Sequence, residues 1–344
     1  MIDNTWARLR RAAVGYQESC VLAAAAELDI FTLILESGNR MPGQDIQARL
    51  ASDRRGCAVL LDCLAALGYL RKNGAGEEAL YSVPEEYHPY LDRRHPDSFV
   101  PMLRHMANAQ RIWPQLARVV KYGERPERVS SILGSEEDYA SFILGMNSIA
   151  RFDAAPMAQA LVKAGILDEK AEDFRFLDVG GASGTYTEAF LKAAPLSRGA
   201  IFDLPAGILQ ARRRFLGGEL EGRVDLLEGD FYENELPGGF DLVWISAVIH
   251  QQARPESRDL YRKAFLAMKP GGLVAVRDFM LDATRTDPPD GALFAVNMLV
   301  HTSQGMAYTY EEVREDLELS GFREISLAIP APTMSAVAVG RKGI

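Results

Sequence analysis

Apolar residues return at every third or fourth position through 5–28, a spacing that predicts a helix ending at Leu28-Asp29-Ile30-Phe31. A shorter helix is read over 42–50, opened by Pro42 at its start. Another runs over 54–67, with Leu60, Leu64 and Leu67 on one face and Gly68 as its stop. From Tyr69 to Val83 the pattern changes to strand, glycine turn, strand. Helix, helix and hairpin in that order form a winged helix-turn-helix pattern. Residues 101–165 read as helical throughout, with Pro126 dividing them into at least two helices. Met102, Met106, Trp113, Leu116 and Val120 lie near helical spacing there, as do Phe142, Met146 and Ile149. The simplest reading of such a stripe is a core face.

From Phe174 the texture changes. Short apolar runs alternate with helical stretches, which predicts an α/β domain with a mostly parallel sheet and crossover helices. The runs lie at 176–179, 198–202, 224–228, 242–246 and 272–278, and two more at 324–329 and 335–339 make seven strands.

Composition narrows the classes. The chain has 344 residues, 48% hydrophobic and 25% charged, an ordinary globular balance. At roughly 150 residues per domain, its length suggests two domains. With 38 basic and 47 acidic residues the net charge is -9, which works against non-specific binding to nucleic acid. The 54–67 helix carries only Arg54 and Arg55 at its start, and the wing follows Arg71 and Lys72 with Glu77 and Glu78. The winged module therefore reads as a packing or dimerisation element rather than a DNA reader.

Cys20, Cys57 and Cys63 are odd in number and have no ligand spacing, so they read as buried thiols of a reducing cytoplasm. No apolar run approaches about 18 residues, so no membrane span is expected. Arg8, Arg10 and Arg11 ahead of Cys20-Val21-Leu22-Ala23 imitate a signal peptide. Glu18, Glu27 and Asp29 bound that run, which favours an amphipathic helix in a cytoplasmic protein. His88, His95 and His105 are scattered without metal-ligand spacing, and no metal is expected.

The chemistry gathers at predicted strand ends. Asp178-Val179-Gly180-Gly181-Ala182-Ser183-Gly184 follows the first strand of the C-terminal part and opens a helix, so backbone and helix N-terminus can approach a ligand closely. Thr185 and Glu188 have capping-box spacing for that helix. Asp203 ends the next strand, 25 residues after Asp178, where a carboxylate suits a ribose diol. Asp230 and Phe231 end the third, a carboxylate for an adenine amino group beside a ring for the base. Taken singly, each acid reads equally well as a helix cap or loop carboxylate. Three of them around one glycine turn, at the strand ends where ligands of open α/β sheets bind, point to a nucleoside site.

These residues carry a resemblance. Asp-Val-Gly-Gly-Ala-Ser-Gly, Asp203-Leu204-Pro205, Gly229-Asp230-Phe231, Phe240-Asp241-Leu242-Val243 and Lys269-Pro270-Gly271-Gly272 resemble a class I S-adenosylmethionine-dependent methyltransferase. More narrowly, the chain is similar over nearly its whole length to the small-molecule O-methyltransferases of caffeic acid and acetylserotonin type. The resemblance implies a Rossmann-like catalytic domain over 166–344. It implies a winged-helix-like dimerisation domain over 1–100 and a helical linker over 101–165 lining the acceptor pocket. S-adenosylmethionine would be the cofactor and S-adenosylhomocysteine the product, with no metal. Asp178, Gly180, Gly181, Gly184 and Ser246 would lie by the methionine end, Asp203 by the ribose, and Leu204, Asp230 and Phe231 by the adenine.

His250 falls where the family has the histidine of its His-Asp-Trp motif, and Asp278 where it has a partner carboxylate. A phenol with a pKa of about 10 is a poor nucleophile near neutrality, and a neutral imidazole touching it can take its proton. Here the motif reads His250-Gln251-Gln252, and the family's second flanking glutamate aligns near Ala307. Phe142, Met146, Asn297, Met298, His301 and Thr302 are candidate acceptor contacts, with core packing as the other reading of the same side chains. The expected protein is a cytoplasmic homodimer that methylates a small aromatic hydroxyl and binds neither nucleic acid nor membrane. Its rivals are an N-, S- or C-methyltransferase, a cofactor-binding homologue without transfer, and a winged-helix regulator that senses S-adenosylmethionine.

Overall fold

The computed structural model describes residues 4–76 and 78–343; Glu77, assigned above to the wing, lies outside them. The chain forms two compact units, one of Met1–Pro114 with Glu127–Ser148 and one of Gln115–Pro126 with Ile149–Ile344.

The first unit contains α1 (Asn4–Val14), α2 (Tyr16–Glu27), α3 (Ile30–Glu36), β1 (Met41–Pro42), α4 (Gly43–Arg49), α5 (Arg54–Ala66), β2 (Arg71–Asn73), β3 (Leu80–Ser82), α6 (His88–Leu91) and α7 (Val100–Ile112). The single helix expected over 5–28 is two, parted at Gly15, where glycine's low helix propensity weakens the ladder. The expected hairpin gains a third strand, because Met41 pairs with Tyr81 to give the order β1-β3-β2. Two residues are too few to show a period. α5 buries Cys57, Leu61 and Leu64 into a core with Ile30, Phe31, Ile34 and Ile46. Cys20 is exposed, so the reading of all three thiols as buried fails there.

Next come α8 (Leu116–Tyr122), in the second unit, and the 29-residue α9 (Ser135–Lys163), which gives its first half to one unit and its second to the other. The helical reading of 101–165 fails between them. Gly123, at φ 68°, closes α8, Pro126 follows, and 123–134 form no helix. The core reading of the stripe also fails in part: Met102 is buried, but Met106 is exposed, and at the far end Val119 is buried in place of Val120, which is 68% exposed.

The second unit continues with β4 (Arg175–Val179), α10 (Thr185–Ala193), β5 (Arg198–Asp203), α11 (Pro205–Phe215), β6 (Val224–Glu228), β7 (Phe240–Ser246), α12 (Arg254–Ala267), β8 (Met268–Asp278), β9 (Met280–Leu281), α13 (Pro289–His301), β10 (Tyr308–Thr309), α14 (Tyr310–Leu319), β11 (Arg323–Ile329) and β12 (Ala336–Arg341). Among the described residues, seven strands form one sheet in the order β11-β12-β8-β7-β4-β5-β6. Only β12 runs against its neighbours. The chain winds outward from β4 through β5 and β6, then returns to β7 on β4's other side. That reversal opens a crevice at the carboxyl ends of β4 and β7.

Strand alternation sorts the core into two layers. Leu177, Val179, Val243, Ile245, Val274 and Val276 meet Leu260, Tyr261, Leu317 and Phe322 on one face. Phe176, Leu242, Trp244 and Ala275 meet Phe190, Ile208, Phe215 and the second half of α9 on the other.

Arg254 ties α12 to α14. It donates at 2.8 Å to each oxygen of Asp316, whose side chain is buried. Replacing it removes the main partner of a buried carboxylate, and Arg258, at 3.7 Å, compensates only in part. Arg254→Met is expected to lower unfolding free energy by about 3 kcal/mol, read by urea denaturation. No loss would mean that Asp316 is solvated in solution.

Candidate active site

The 180–184 turn closes the end of β4. Asp178 is 2% exposed, accepts from Thr187 Oγ1 at 2.7 Å, and lies beneath the turn. A Cβ on Gly181 would stand 2.7 Å from that carboxyl, and one on Gly184 2.6 Å from the Phe215 ring. Asp178 thus braces the turn from below, with its carboxyl directed away from solvent. Ala182 takes a left-handed φ of 47° and donates its N–H to Asp203 Oδ2 at 2.7 Å. Gly184, not Thr185, is the N-cap of α10, and no side chain caps that helix, so the expected Thr185–Glu188 box does not form. A box does form at Thr309 and Glu312, opening α14. Arg214 braces the turn from the side, donating to the Ser183 carbonyl at 2.7 Å and to Glu188 at 2.6 Å.

Of the other two carboxylates, Asp203 bonds the turn directly, and Asp230 bonds its own loop beyond β6. Asp203 accepts from Ala182 and from Leu204 N–H, each at 2.7 Å. Its two oxygens can accept about four bonds, so two acceptor directions remain. Leu204 beside it is exposed. Asp230 accepts from Tyr232 N–H at 2.9 Å, and the Phe231 ring comes within 3.9 Å of the Cβ position of Gly180. Val248, after β7, lies 3.1 Å from the same position. The sequence reading missed Lys263, which is buried in α12 and donates to the carbonyls of Phe231 at 2.7 Å and Tyr232 at 3.2 Å. A lysine on the apolar face of an amphipathic helix was the signal.

His250 follows β7. Ala247 donates its N–H to the Arg277 carbonyl at 2.9 Å and turns the chain at φ 57° into a short 3-10 turn, Ile249–Gln251. His250 Nδ1 lies 2.9 Å and 2.8 Å from the two oxygens of Asp278, with the residues 6% and 1% exposed. As a carboxylate Asp278 only accepts, so Nδ1 carries the proton and Nε2 keeps its lone pair. Nε2 has no partner among the described residues. Asp278 also accepts from Phe279 N–H at 2.8 Å. Two further aromatics went unread in the sequence. Phe294 packs edge-on against the imidazole at 4.8 Å, and Phe279 stands 5.1 Å from Phe294.

The expected acceptor contacts divide. Asn297, Met298 and His301 stand on α13, and Thr302 caps it. Met298 is buried, matching the core reading. Thr302 Oγ1 donates to the Met298 carbonyl at 2.8 Å and accepts from Gly305 N–H at 2.8 Å, so its hydroxyl serves the turn. His301 Nδ1 lies 2.9 Å from the Asn297 carbonyl. Phe142 and Met146 are exposed on the first half of α9, in the first unit, with Phe142 5.1 Å from His105. Ala307 is buried.

Ser246, last in β7, accepts from Arg277 Nη1 at 3.2 Å, and Arg277 Nη2 reaches Asp153 at 3.1 Å. No helix among the described residues is long and apolar enough to cross a membrane.

Residues 132–323 match the O-methyltransferase domain family and residues 11–85 the O-methyltransferase dimerisation domain. The chain is 29% identical over 341 residues to acetylserotonin O-methyltransferase of Bos taurus, covering 96% of each chain. It is 29% identical over 332 residues to the tetracenomycin polyketide synthesis 8-O-methyl transferase of Streptomyces glaucescens, covering 96% of this chain and 94% of that one. It is also similar to the crystal structure of human N-acetylserotonin methyltransferase in complex with S-adenosylmethionine, at TM-score 0.83 and 25% identity over 99% of both chains.

Burial raises the Asp178 carboxyl to about 7, against the bond from Thr187 that lowers it. Because its folded-state value is raised, the protonated form stabilises the fold at low pH, and that stabilisation is lost as pH rises through about 7. Between pH 4.5 and 8 the wild type is expected to lose about 3 kcal/mol more stability than Asp178→Asn, read by denaturant titration without ligand. Parallel pH curves for the two proteins would contradict this.

Proposed function

The chain belongs to the O-methyltransferase family, and from that premise we propose that it methylates a phenolic hydroxyl of a small aromatic molecule from S-adenosylmethionine, with His250 as base. The observation that carries this reading is the buried His250–Asp278 pair, which leaves one imidazole lone pair unbonded.

The residues present fit the cofactor. Gly180, Gly181 and Gly184 form a turn in which each Cβ would meet a neighbour within 3.1 Å. Asp203 keeps two acceptor directions for a ribose diol, and Leu204 and Phe231 offer apolar faces for the base. When bound, S-adenosylmethionine supplies an electrophilic methyl group and its own leaving group. The chain's part is to align the acceptor and remove its proton. Asp278 fixes the imidazole plane and tautomer, and Nε2 takes the hydroxyl proton as the oxygen attacks. The edge-on Phe294, with Phe279 behind it, gives a flat acceptor a wall beside that nitrogen.

The dimerisation-domain match supports a homodimer. None of α1 is buried within the chain, and Trp6, Leu9, Val14 and Tyr16 are all exposed. An apolar surface of that kind is a candidate for cover by a second copy. Leu9→Asp with Tyr16→Asp is expected to halve the mass seen by light scattering; an unchanged mass would place the interface elsewhere.

Transfer of labelled methyl to pooled phenols tests the reaction itself. His250→Ala is expected to lower kcat by about 100-fold or more, and Asp278→Asn by a smaller factor, with cofactor affinity unchanged in both. Full turnover by His250→Ala, or label only in pools of N-heterocycles or thiols, would remove the histidine base or the hydroxyl acceptor from the reading.

A further inference from the structure

Gly207 is the third residue of α11 and is buried. Glycine is a poorer helix former than every residue but proline, so its presence inside a helix needs a physical reason. Its backbone here is ordinary right-handed helix, which any residue adopts, so conformation supplies none. Space does. A Cβ at Gly207 would stand 2.5 Å from Oδ1, 2.6 Å from Cγ and 3.1 Å from Oδ2 of Asp203. All three neighbours are atoms of one carboxyl. Ala211, one turn further along the same face, is fully buried with its methyl group in place. That face of α11 therefore accepts a methyl group, and the place of the one missing at Gly207 is filled by the carboxyl.

Asp203 is the last residue of β5, and Leu204 after it is the N-cap of α11, so the carboxyl folds forward over the first turn of the helix. It cannot swing aside freely. Oδ1 accepts from Leu204 N–H and Oδ2 from Ala182 N–H, each at 2.7 Å. The second bond crosses 21 positions of chain and sets the carboxyl against the 180–184 turn. The helix cannot yield instead, because Ile208, Ala211 and Phe215 anchor it in the core beneath the sheet, and a packed core resists displacement. A methyl group at Gly207 would therefore move the carboxyl and break at least one of its two bonds.

We propose that Gly207 is a positioning residue for sugar recognition: the absence of its side chain sets Asp203 at the depth from which the carboxylate takes a vicinal diol, and any larger residue turns the carboxylate off that position. This rests on the reading above that Asp203 holds the cofactor's ribose. It adds that the depth is fixed from behind, by a helix residue on the far side of the carboxyl from the turn.

The test is calorimetric binding of S-adenosylhomocysteine and of its 2′-deoxy analogue, which lacks one hydroxyl of the diol. The wild type is expected to prefer S-adenosylhomocysteine about 20-fold, the worth of one hydrogen bond to a charged group. Gly207→Ala is expected to weaken S-adenosylhomocysteine about 10-fold and to cut the preference to about twofold. A general loosening of the fold would weaken both ligands alike and keep the preference; that result, or unchanged binding, would overturn the proposal. If Gly207→Ala does not fold, the Asp203→Ala background decides the matter. With the carboxyl gone, adding Gly207→Ala should raise the urea midpoint, because alanine is the better helix former. A midpoint no higher than that of Asp203→Ala alone would place the crowding elsewhere and overturn the proposal. Wild-type protein that binds the two ligands equally would overturn the ribose reading beneath it, and the proposal with it.

Discussion

The carboxyl of Asp178 occupies the space in which a side chain on Gly181 would stand, 2.7 Å from that Cβ position. A turn can lie down on the end of β4 only if that residue is glycine, and the rest of the site is arranged around the turn. Gly180, at φ 70°, comes close to Val248 and Phe231, which belong to the ends of two other strands. Gly184 closes on Ile201 and Phe215, which seats the start of α10. Ala182 holds a left-handed conformation that costs an L-residue about 1 kcal/mol, and its N–H bond to Asp203 offsets that cost. The buried acid is therefore a support, and its cost is ionisation in a place that disfavours charge.

A second constraint comes from the period of a strand. Arg277 and Asp278 are neighbours of opposite charge at the end of β8, and alternation sends them to opposite faces. β12 covers both, pairing Val337 with Arg277 and Ala336 with Asp278. Asp278 turns to His250 and the layer of α12 and α14. Arg277 turns to Tyr186, Asp153 and the layer of α9 and α10. Separated by the sheet, the two charges do not neutralise each other, and each acts on its own partner. One short strand end thus places a carboxylate against an imidazole on one face and a guanidinium against Asp153 on the other.

What the sequence disclosed follows the range of the signals. Each of the seven strands is apolar and long enough to read, and their ends carried the glycine turn, Asp203, Asp230 and the His250–Asp278 pair to within a residue or two. β1 was not legible because two residues have no period. The irregular 123–134 stretch was missed because apolar residues such as Val129 and Ile132 imitate helical spacing while lying exposed. Phe294, Lys263 and Arg277 were missed for another reason. They make contacts to residues distant in the chain, Lys263 to Phe231 32 positions away and Arg277 to Asp153 124 away, and local pattern holds no record of such contacts. Met298 and Thr302 carried two readings, pocket contact and core, because side chains along one helix cannot be sorted between core and cleft without the helix's rotation.

The departure from His-Asp-Trp is absorbed by packing rather than by the dyad. Gln252 is buried, donates to Ser257 Oγ at 3.2 Å, and receives the Tyr308 hydroxyl on its carbonyl. Gln251 reaches back to the Ala247 carbonyl at 3.1 Å. Both glutamines thus fasten the short turn that carries His250 and add no charge beside the imidazole. Ala307, where the resemblance places a second glutamate, is buried, and Gly305 in the same segment lets the chain close on the His250 carbonyl. The imidazole is left with one carboxylate, held at both of its oxygens. A single anion is enough to set tautomer and ring plane, because orientation needs one fixed acceptor at Nδ1. It gives less stabilisation to an imidazolium than two would, so under the proposed reaction more of the barrier would be met by alignment of the hydroxyl and the methyl carbon. The rings of Phe279 and Phe294 beside the imidazole would suit that division, since under the proposed reaction they could hold a flat acceptor without competing for its proton.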